Sequence, residues 1–172
     1  MSEAIELIND TQISVPDPSV WADLGCGSGL FTHALAQLLL AGSTIYAFDK
    51  DLSSWNKNLQ KENVTVKITA ADFVKDDLRL HHLDGIMMAN SLHFVNDKIS
   101  LLNKLRQYMK AHSLFLIVEY DMDTANPWVP FPVSYHSLKQ LFEKLPGGSL
   151  HKIHERPSVY NRANIYSALI SF

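Results

Sequence analysis

The chain has 172 residues, of which 47% are hydrophobic and 19% charged, and its formal net charge is −3. This size and balance predict a single globular domain over residues 1–172 and exclude a largely disordered chain. Fifteen basic residues are dispersed among 18 acidic ones, which disfavours a nucleic-acid-binding surface. No apolar run approaches the roughly 20 residues that cross a bilayer.

The first residues lack the basic start and apolar stretch of a secretory signal, which predicts a cytoplasmic protein that neither enters a membrane nor is secreted. Cys26 is the single cysteine, so no internal disulfide is expected. The sequence has no cluster of Cys and His residues that would indicate zinc, and no metal is expected.

Apolar strand patterns alternate with amphipathic helix patterns along the first 120 residues. Strands are predicted at residues 19–24, 44–48, 64–68, 85–89 and 114–118. Helices are predicted at residues 3–8, from Phe31 to a cap at Gly42, from Asp51 through Leu52, Trp55 and Leu59, and at 99–109. Continuous apolar strands joined by such helices indicate a parallel sheet with helices on both faces.

The alternation of strand and helix patterns ends after Tyr120. A segment rich in proline and aromatic residues, 126–133, leads into a helix with Leu138, Leu141, Phe142 and Leu145, which Pro146 and the two glycines after it should end. Two more strands are predicted at residues 150–155 and 165–172. Their closeness in sequence predicts antiparallel pairing at one edge of the sheet.

A glycine loop lies between the first strand and the next helix, in the sequence WADLGCGSGLF at residues 21–31. Glycines allow a sharp turn and a close approach of a ligand to the backbone, and the free N–H groups at the helix start favour negative charge. A plain tight turn is the alternative interpretation. The dinucleotide fingerprint G-x-G-x-x-G would need a glycine at Leu30, whereas this chain has the pattern D-x-G-x-G-x-G from Asp23 to Gly29.

In this pattern the chain resembles the class I S-adenosylmethionine-dependent methyltransferases, of the type 11/12-like group that acts on small molecules. The resemblance covers residues 18–120 best. It implies a doubly wound, Rossmann-like α/β fold with seven strands in the order 3-2-1-4-5-7-6, the last strand antiparallel, and S-adenosyl-L-methionine as the cofactor.

The resemblance also implies which residues hold the cofactor. Asp49 ends the second strand, where the family places the carboxylate that binds both ribose hydroxyls, and Asp72 with Phe73 follows the third strand, beside the adenine. Capping of a helix by Asp49 and of a turn by Asp72 are the alternatives. The full predicted set is Asp23, Gly25, Cys26, Gly27, Gly29, Asp49, Lys50, Asp72, Phe73 and Asn90.

Methyl transfer needs mainly alignment of the reacting atoms, and a base only where the acceptor must lose a proton. The candidate catalytic residues are His93 after the fourth strand, Tyr120 beside Glu119 at the end of the fifth strand, and His136 in the following helix. A local hydrogen bond at a helix start is the alternative role for His93. We expect the acceptor pocket between His93 and residues 126–136, whose aromatic side chains are either pocket walls or core packing.

The sequence after the fourth strand, Asn90-Ser-Leu-His, differs from the Asn/Asp-Pro-Pro-aromatic motif of family members that methylate base amines. A small-molecule methyl acceptor is therefore predicted. Only about 18 residues precede the first strand, which leaves the pocket open or closed by a second subunit, as in a homodimer. The alternatives are a catalytically silent cofactor-binding protein, a protein or RNA methyltransferase, and a nicotinamide oxidoreductase, the last disfavoured by Leu30.

Overall fold

The computed structural model describes residues 1–58, 63–145, 147–158 and 163–172. Its centre is a seven-stranded sheet in the order β3-β2-β1-β4-β5-β7-β6. The strands are β1 Val20–Leu24, β2 Thr44–Asp49, β3 Thr65–Ala70, β4 Leu83–Ala89, β5 Met109–Tyr120, β6 Ser149–Pro157 and β7 Asn164–Ser171. The first five strands are parallel, and β7 is antiparallel to both β5 and β6. This confirms the predicted order and the reversed last strand.

Helices cover both faces of this sheet, as predicted. Helices α1 (Ser2–Ile8) and α2 (Leu30–Leu38) pack on one face, and α3 (Lys98–Arg106) and α4 (Tyr135–Glu143) pack on the other. Alternate residues of β4 enter the two cores: Met87 faces α1 and α2, whereas Ile86 and Met88 face α3 and α4. Two apolar layers therefore hold the central strands, whose carboxyl ends then share one edge.

The predicted helix from Asp51 is wrong over residues 51–58, which form turns; Leu59 lies outside the described residues. Asp51 accepts a hydrogen bond from the backbone N–H of Ser53, and Asn56 accepts one from Asn58. Such short polar side chains offer the backbone an alternative to helical hydrogen bonds. Trp55 instead packs against the glycine loop, since its ring lies 2.8 Å from where a Cβ on Gly29 would be.

Three predicted helix ends also differ from the structure. Helix α2 ends at Leu38, and Gly42, with a φ of 90°, lies in the turn before β2 and does not cap the helix. Helix α3 ends at Arg106, so Met109 begins β5, which is longer than predicted. Helix α4 ends at Glu143, two residues before Leu145, and Pro146 lies outside the described residues.

Connections at the carboxyl ends of the parallel strands carry the predicted site residues. The glycine loop follows β1, Asp49 ends β2, Asp72 follows β3, Asn90 follows β4, and Tyr120 ends β5. In the described ranges, 1–58, 63–145, 147–158 and 163–172, no helix is both long and apolar enough to span a membrane.

Candidate active site

Each of the three glycines in the loop after β1 has a positive φ, but the surroundings that explain glycine differ among the three positions. A Cβ on Gly25 would lie 2.5 Å from the Cβ of Ser91, and one on Gly29 would lie 2.8 Å from the ring of Trp55. A Cβ on Gly27 would meet no atom within 4 Å. Packing therefore requires glycine at positions 25 and 29, whereas Gly27 borders open space that a ligand can fill.

Asp49 joins the end of β2 to the glycine loop. Its Oδ2 accepts a hydrogen bond from the backbone N–H of Gly27 at 2.8 Å, and its Oδ1 accepts one from the N–H of Asp51 at 3.1 Å. A carboxylate has about four lone-pair positions, so two remain for a ligand such as a ribose diol. The alternative role of Asp49, capping a helix that begins near Asp51, is wrong because no helix forms there. The contact of its Oδ1 with the N–H of Asp51 is compatible with ligand binding.

Asp23 is buried at the end of β1 with one oxygen free. The hydroxyl of Thr32 donates to its Oδ2, while Oδ1 has no hydrogen-bond partner. Burial raises the pKa of Asp23 to about 7, with a further contribution from the negative charge of Asp49. An unpartnered buried acceptor is costly, and a cationic donor in the adjacent cavity would satisfy it.

A cavity of about 250 Å³ lies against this carboxylate and the glycine loop. The predicted residues in its wall are Asp23, Gly25, Cys26, Gly27 and Asn90. Burial raises the pKa of the Cys26 thiol to about 12, helped by the nearby carboxylates Asp23 and Asp49. Cys26 is therefore a neutral thiol in this wall and is unsuited to act as a nucleophile.

Lys50 and Asp72 line a second cavity of about 430 Å³, between β3 and α3. The two side chains form an ion pair at 3.1 Å. Burial opposes ionisation of Asp72, but hydrogen bonds from Lys50 and from the N–H of Val74 outweigh it and hold the pKa of Asp72 below its usual value. Gly29, Asp49 and Phe73 are not among the described residues that line either cavity. Asp49 contacts the glycine loop through Gly27, and Phe73 is buried near Gly25.

Asn90 lies where the cavity of the glycine loop meets a larger one. Its φ is 54°, a left-handed conformation that asparagine tolerates better than most residues. Its backbone N–H donates to the carbonyl of Val118 at 2.8 Å, and its side-chain Oδ1 is buried without a partner. Asn90 lines both cavities, so a molecule in either one reaches the same amide.

The larger cavity has a volume of about 670 Å³ and an apolar, aromatic wall. Its lining residues are Asn90, His93, Phe94, Tyr120, Asn126, Trp128 and Val129. The segment after β5 reaches the cavity because Asn126 and Val129 form a β-bridge, and the N–H of Phe131 donates to the carbonyl of His93. The predicted neighbourhood of His93 and this segment is present in the structure.

His93 forms a buried pair with Glu119, which from the sequence was placed only at the end of the fifth strand beside Tyr120. Its Nδ1 lies 2.6 Å from Oε2 of Glu119, and Oε1 of the same carboxylate accepts the backbone N–H of His93 at 3.1 Å. The residues are 26 positions apart and meet because β4 and β5 are neighbours. Neighbouring strands could have suggested this proximity, but the sequence carries no signal for the pairing itself.

Of the three predicted catalytic residues, His93 and Tyr120 line the same cavity, whereas His136 lies elsewhere. Tyr120 lines the cavity with its ring centroid 6.3 Å from that of His93. His136 is exposed on α4, where its Nε2 lies 3.0 Å from the side-chain nitrogen of Gln140, and it is not among the described residues of the cavity wall. Phe94, at the end of the segment that follows β4, lines the cavity with 58% of its surface exposed.

Comparison with known proteins gives one family match. A family model described as a methyltransferase domain matches residues 22–115, from β1 into β5. A search of curated proteins found no match.

Solved structures with the same fold are numerous, and three illustrate it. The 1,6-didemethyltoxoflavin-N1-methyltransferase of Burkholderia thailandensis, with bound 1,6-didemethyltoxoflavin and S-adenosylhomocysteine, superposes with a TM-score of 0.72 at 16% identity over 98% of this chain and 76% of that one. The plantazolicin methyltransferase BpumL, in complex with S-adenosylhomocysteine, gives 0.67 at 14% identity over 98% and 82%. A SAM-dependent methyltransferase from Aquifex aeolicus gives 0.65 at 17% identity over 99% and 98%.

Proposed function

The chain belongs to the methyltransferase domain family, and on that premise we propose that it transfers a methyl group from S-adenosylmethionine to a small-molecule acceptor. The observation that carries the proposal is the pair of buried, unpartnered acceptor oxygens, Asp23 Oδ1 and Asn90 Oδ1, beside the glycine loop. Both line one cavity, and Asn90 also lines the larger aromatic cavity. Two ligands bound in these cavities would thus meet at Asn90.

The hydrogen-bond acceptors of the site suit the cofactor. The methionine portion of S-adenosylmethionine carries an ammonium group, which is the kind of donor that the free oxygen of Asp23 lacks. The remaining lone pairs of Asp49 suit the two ribose hydroxyls, and the open space at Gly27 leaves room for close approach to the backbone. The S-adenosylhomocysteine bound in two neighbouring structures supports the same cofactor.

When bound, S-adenosylmethionine supplies a methyl group on a positively charged sulfur. The chain's own residues bind and orient: Asp23 suits the ammonium group, Asp49 suits the ribose hydroxyls, and the apolar wall of the larger cavity provides a surface for the acceptor. Holding two reactants in line is the main catalytic requirement for such a displacement. A cavity of about 670 Å³ is in the range of small-molecule sites.

Titration calorimetry on the full chain tests this function. We expect S-adenosylmethionine and S-adenosylhomocysteine to bind and NAD to give no heat. Radiolabelled S-adenosylmethionine incubated with a small-molecule extract, with protein and with RNA should then label the small-molecule fraction. Tight NAD binding without a response to the sulfur nucleosides would contradict the proposal, as would label found only in protein or RNA. Binding without transfer to any fraction would indicate a silent binding protein.

A further inference from the structure

Resting on the proposed function, we propose that the methyl acceptor is a flat aromatic molecule with an ionisable O–H or N–H group, and that His93 takes its proton while Glu119 positions the imidazole. Two independent features of the larger cavity support this. One is the buried His93–Glu119 pair, and the other is a rim of exposed aromatic side chains.

The hydrogen bonds of Glu119 fix the imidazole of His93 in one orientation. Only 3% of His93 and none of Glu119 is exposed, and one carboxylate holds both the ring nitrogen Nδ1 and the backbone N–H of His93. A proton on Nδ1 donated to Glu119 leaves Nε2 as the ring nitrogen with a free lone pair. Since His93 lines the cavity, this nitrogen is the available proton acceptor there.

Two further titratable groups, Tyr166 and Lys98, interact electrostatically with Glu119. Tyr166, opposite Glu119 on β7, donates its hydroxyl to the carbonyl of Val133, and burial, followed by the charge of Glu119, raises its pKa. Tyr166 therefore stays neutral. Burial lowers the pKa of Lys98 although Glu119 opposes this, and Lys98 Nζ binds the carbonyl of Val95. The negative charge of Glu119 stabilises the imidazolium that forms when His93 accepts a proton.

Aromatic side chains at the cavity mouth are exposed to an unusual degree. Of the aromatic residues that line the cavity, Trp128 is 78% exposed and Phe94 58%. Trp128 is held in place, because the carboxamide Oδ1 of Asn126 accepts the N–H groups of both Trp128 and Val129 at 2.9 and 3.0 Å. Exposed apolar surface beside a cavity is a sign of ligand binding, and flat rings on a fixed loop suit a flat aromatic ligand at little cost in ordering entropy.

The proposed reaction balances in atoms and charge. His93 Nε2 accepts the acceptor's proton, and the electron pair of that O–H or N–H bond stays on the oxygen or nitrogen. This pair forms the new bond to the methyl carbon, while the electrons of the carbon–sulfur bond remain on sulfur as S-adenosylhomocysteine forms. The imidazolium returns its proton to solvent after the products leave.

A chromogenic phenol, 4-nitrophenol, tests the proposal because its absorbance reports its ionisation without any turnover. The full chain is saturated with S-adenosylhomocysteine and titrated with the phenol at several pH values. We expect the bound phenol to ionise at a pH at least one unit below that of the free phenol, a tenfold shift in its ionisation equilibrium. His93→Gln should still bind it but ionise it as in free solution, and Glu119→Gln should give a smaller shift than the parent.

Turnover supplies a second readout. With S-adenosylmethionine and 4-nitrophenol, His93→Gln should lose at least tenfold in kcat at low pH and recover toward high pH, where the phenol ionises unaided. A purely structural role for His93 would lower the rate equally at every pH. His81→Gln, an exposed histidine outside the cavity wall, is the matched control and should behave as the parent.

The two proposals fail in distinguishable ways. If S-adenosylhomocysteine does not bind the parent protein, the proposed function is wrong. If it binds but the parent and His93→Gln ionise the phenol equally, the role of His93 is wrong while the cofactor site stands. If the loaded protein does not bind the phenol, the aromatic acceptor is wrong. Equal melting temperatures of the parent and His93→Gln show that the variant is as stably folded as the parent. A difference in phenol ionisation is then not caused by unfolding.

Discussion

The backbone N–H of Gly27 donates a hydrogen bond to Oδ2 of Asp49, 2.8 Å away. This contact connects the loop after β1 with the end of β2, at the position that we propose for the ribose of the cofactor. It makes Asp49 both a structural partner of the glycine loop and a candidate ligand of the cofactor.

Replacing Asp49 by Ala should therefore weaken S-adenosylhomocysteine binding, because it removes both the hydrogen bond with Gly27 and the proposed hydrogen bonds with the ribose. Each lost hydrogen bond to a charged group costs about 1.5–3 kcal/mol, so calorimetry should show a dissociation constant at least tenfold higher. Asp49→Asn should lose less, because its amide oxygen still accepts from Gly27. Asp17→Ala, at an exposed position, is the control. Parent-like affinity of Asp49→Ala would show that the ribose lies elsewhere.

Alanine at Gly27 and at Gly25 should have opposite consequences. A methyl group on Gly27 meets no atom within 4 Å, so the fold should lose only about 1 kcal/mol for the positive φ, while affinity for S-adenosylhomocysteine falls sharply. A methyl group on Gly25 collides with Ser91 and should lower the melting temperature far more. Thermal melts and calorimetry on both variants measure this contrast. Unaffected binding by Gly27→Ala would mean that no ligand fills that space.

Asp23 should make the stability of the ligand-free protein depend on pH. Its pKa is raised by burial to about 7 in the folded state, against 3.8 in a free side chain. The folded state thus retains a proton that the unfolded chain releases, and the stability from this group is present below pH 4 and lost as pH rises through 7. Relative to the parent, Asp23→Asn should gain up to about 4 kcal/mol in free energy of unfolding between pH 4 and 8, measured by denaturant titration. A constant difference across this range contradicts the assignment.

The same ionisation should couple to cofactor binding. An ammonium group beside Asp23 favours the ionised carboxylate, so binding below pH 7 must release a proton and should weaken as the pH falls. Calorimetry in two buffers of different ionisation enthalpy counts the protons released. Asp23→Asn should bind more weakly and release fewer protons at pH 6. An identical proton count for parent and variant would show that the ammonium does not approach Asp23.

His33 should make the protein sensitive to acid. Its ring is fully buried with its centroid 5.3 Å from that of Trp55, and burial lowers its pKa from 6.5, which the nearby backbone of Asn56 only partly offsets. Because the unfolded chain takes up this proton first, the stability from neutral His33 is present above pH 6.5 and lost as the pH falls below it. His33→Phe should lose less stability than the parent between pH 7.5 and 5.5 in denaturant titrations. A parallel loss in both proteins would exclude His33 as the cause.

Much of the fold follows from local pattern alone. Continuous apolar runs give the buried strands, and the three glycines at residues 25, 27 and 29 predict a loop that a ligand can approach. The alternation of strand and helix then limits the topology, because strands joined by crossover helices run parallel and their carboxyl ends lie at one edge of the sheet. The family resemblance implied the strand order and the reversed last strand, and the closeness of the last two strands in sequence independently predicted their antiparallel pairing.

The helix expected after Asp51 shows where local pattern fails. Leu52 and Trp55 have helical spacing, yet Asp51 and Asn56 bind nearby backbone N–H groups, and Trp55 packs on Gly29. Periodicity records which residues are apolar. Periodicity does not specify which neighbour the apolar residues pack against, so a tertiary contact can override the helix that it predicts.

The sequence by itself determined the strands, the glycine loop and the carboxylates that follow successive strands, because each depends on residues adjacent in the chain. Only the tertiary structure decided that Glu119 holds His93, that Asn90 stands between two cavities, and that His136 is exposed on α4. These depend on the distance between residues far apart in sequence and on the direction of each side chain. Both are set by how strands and helices pack, which no single segment encodes.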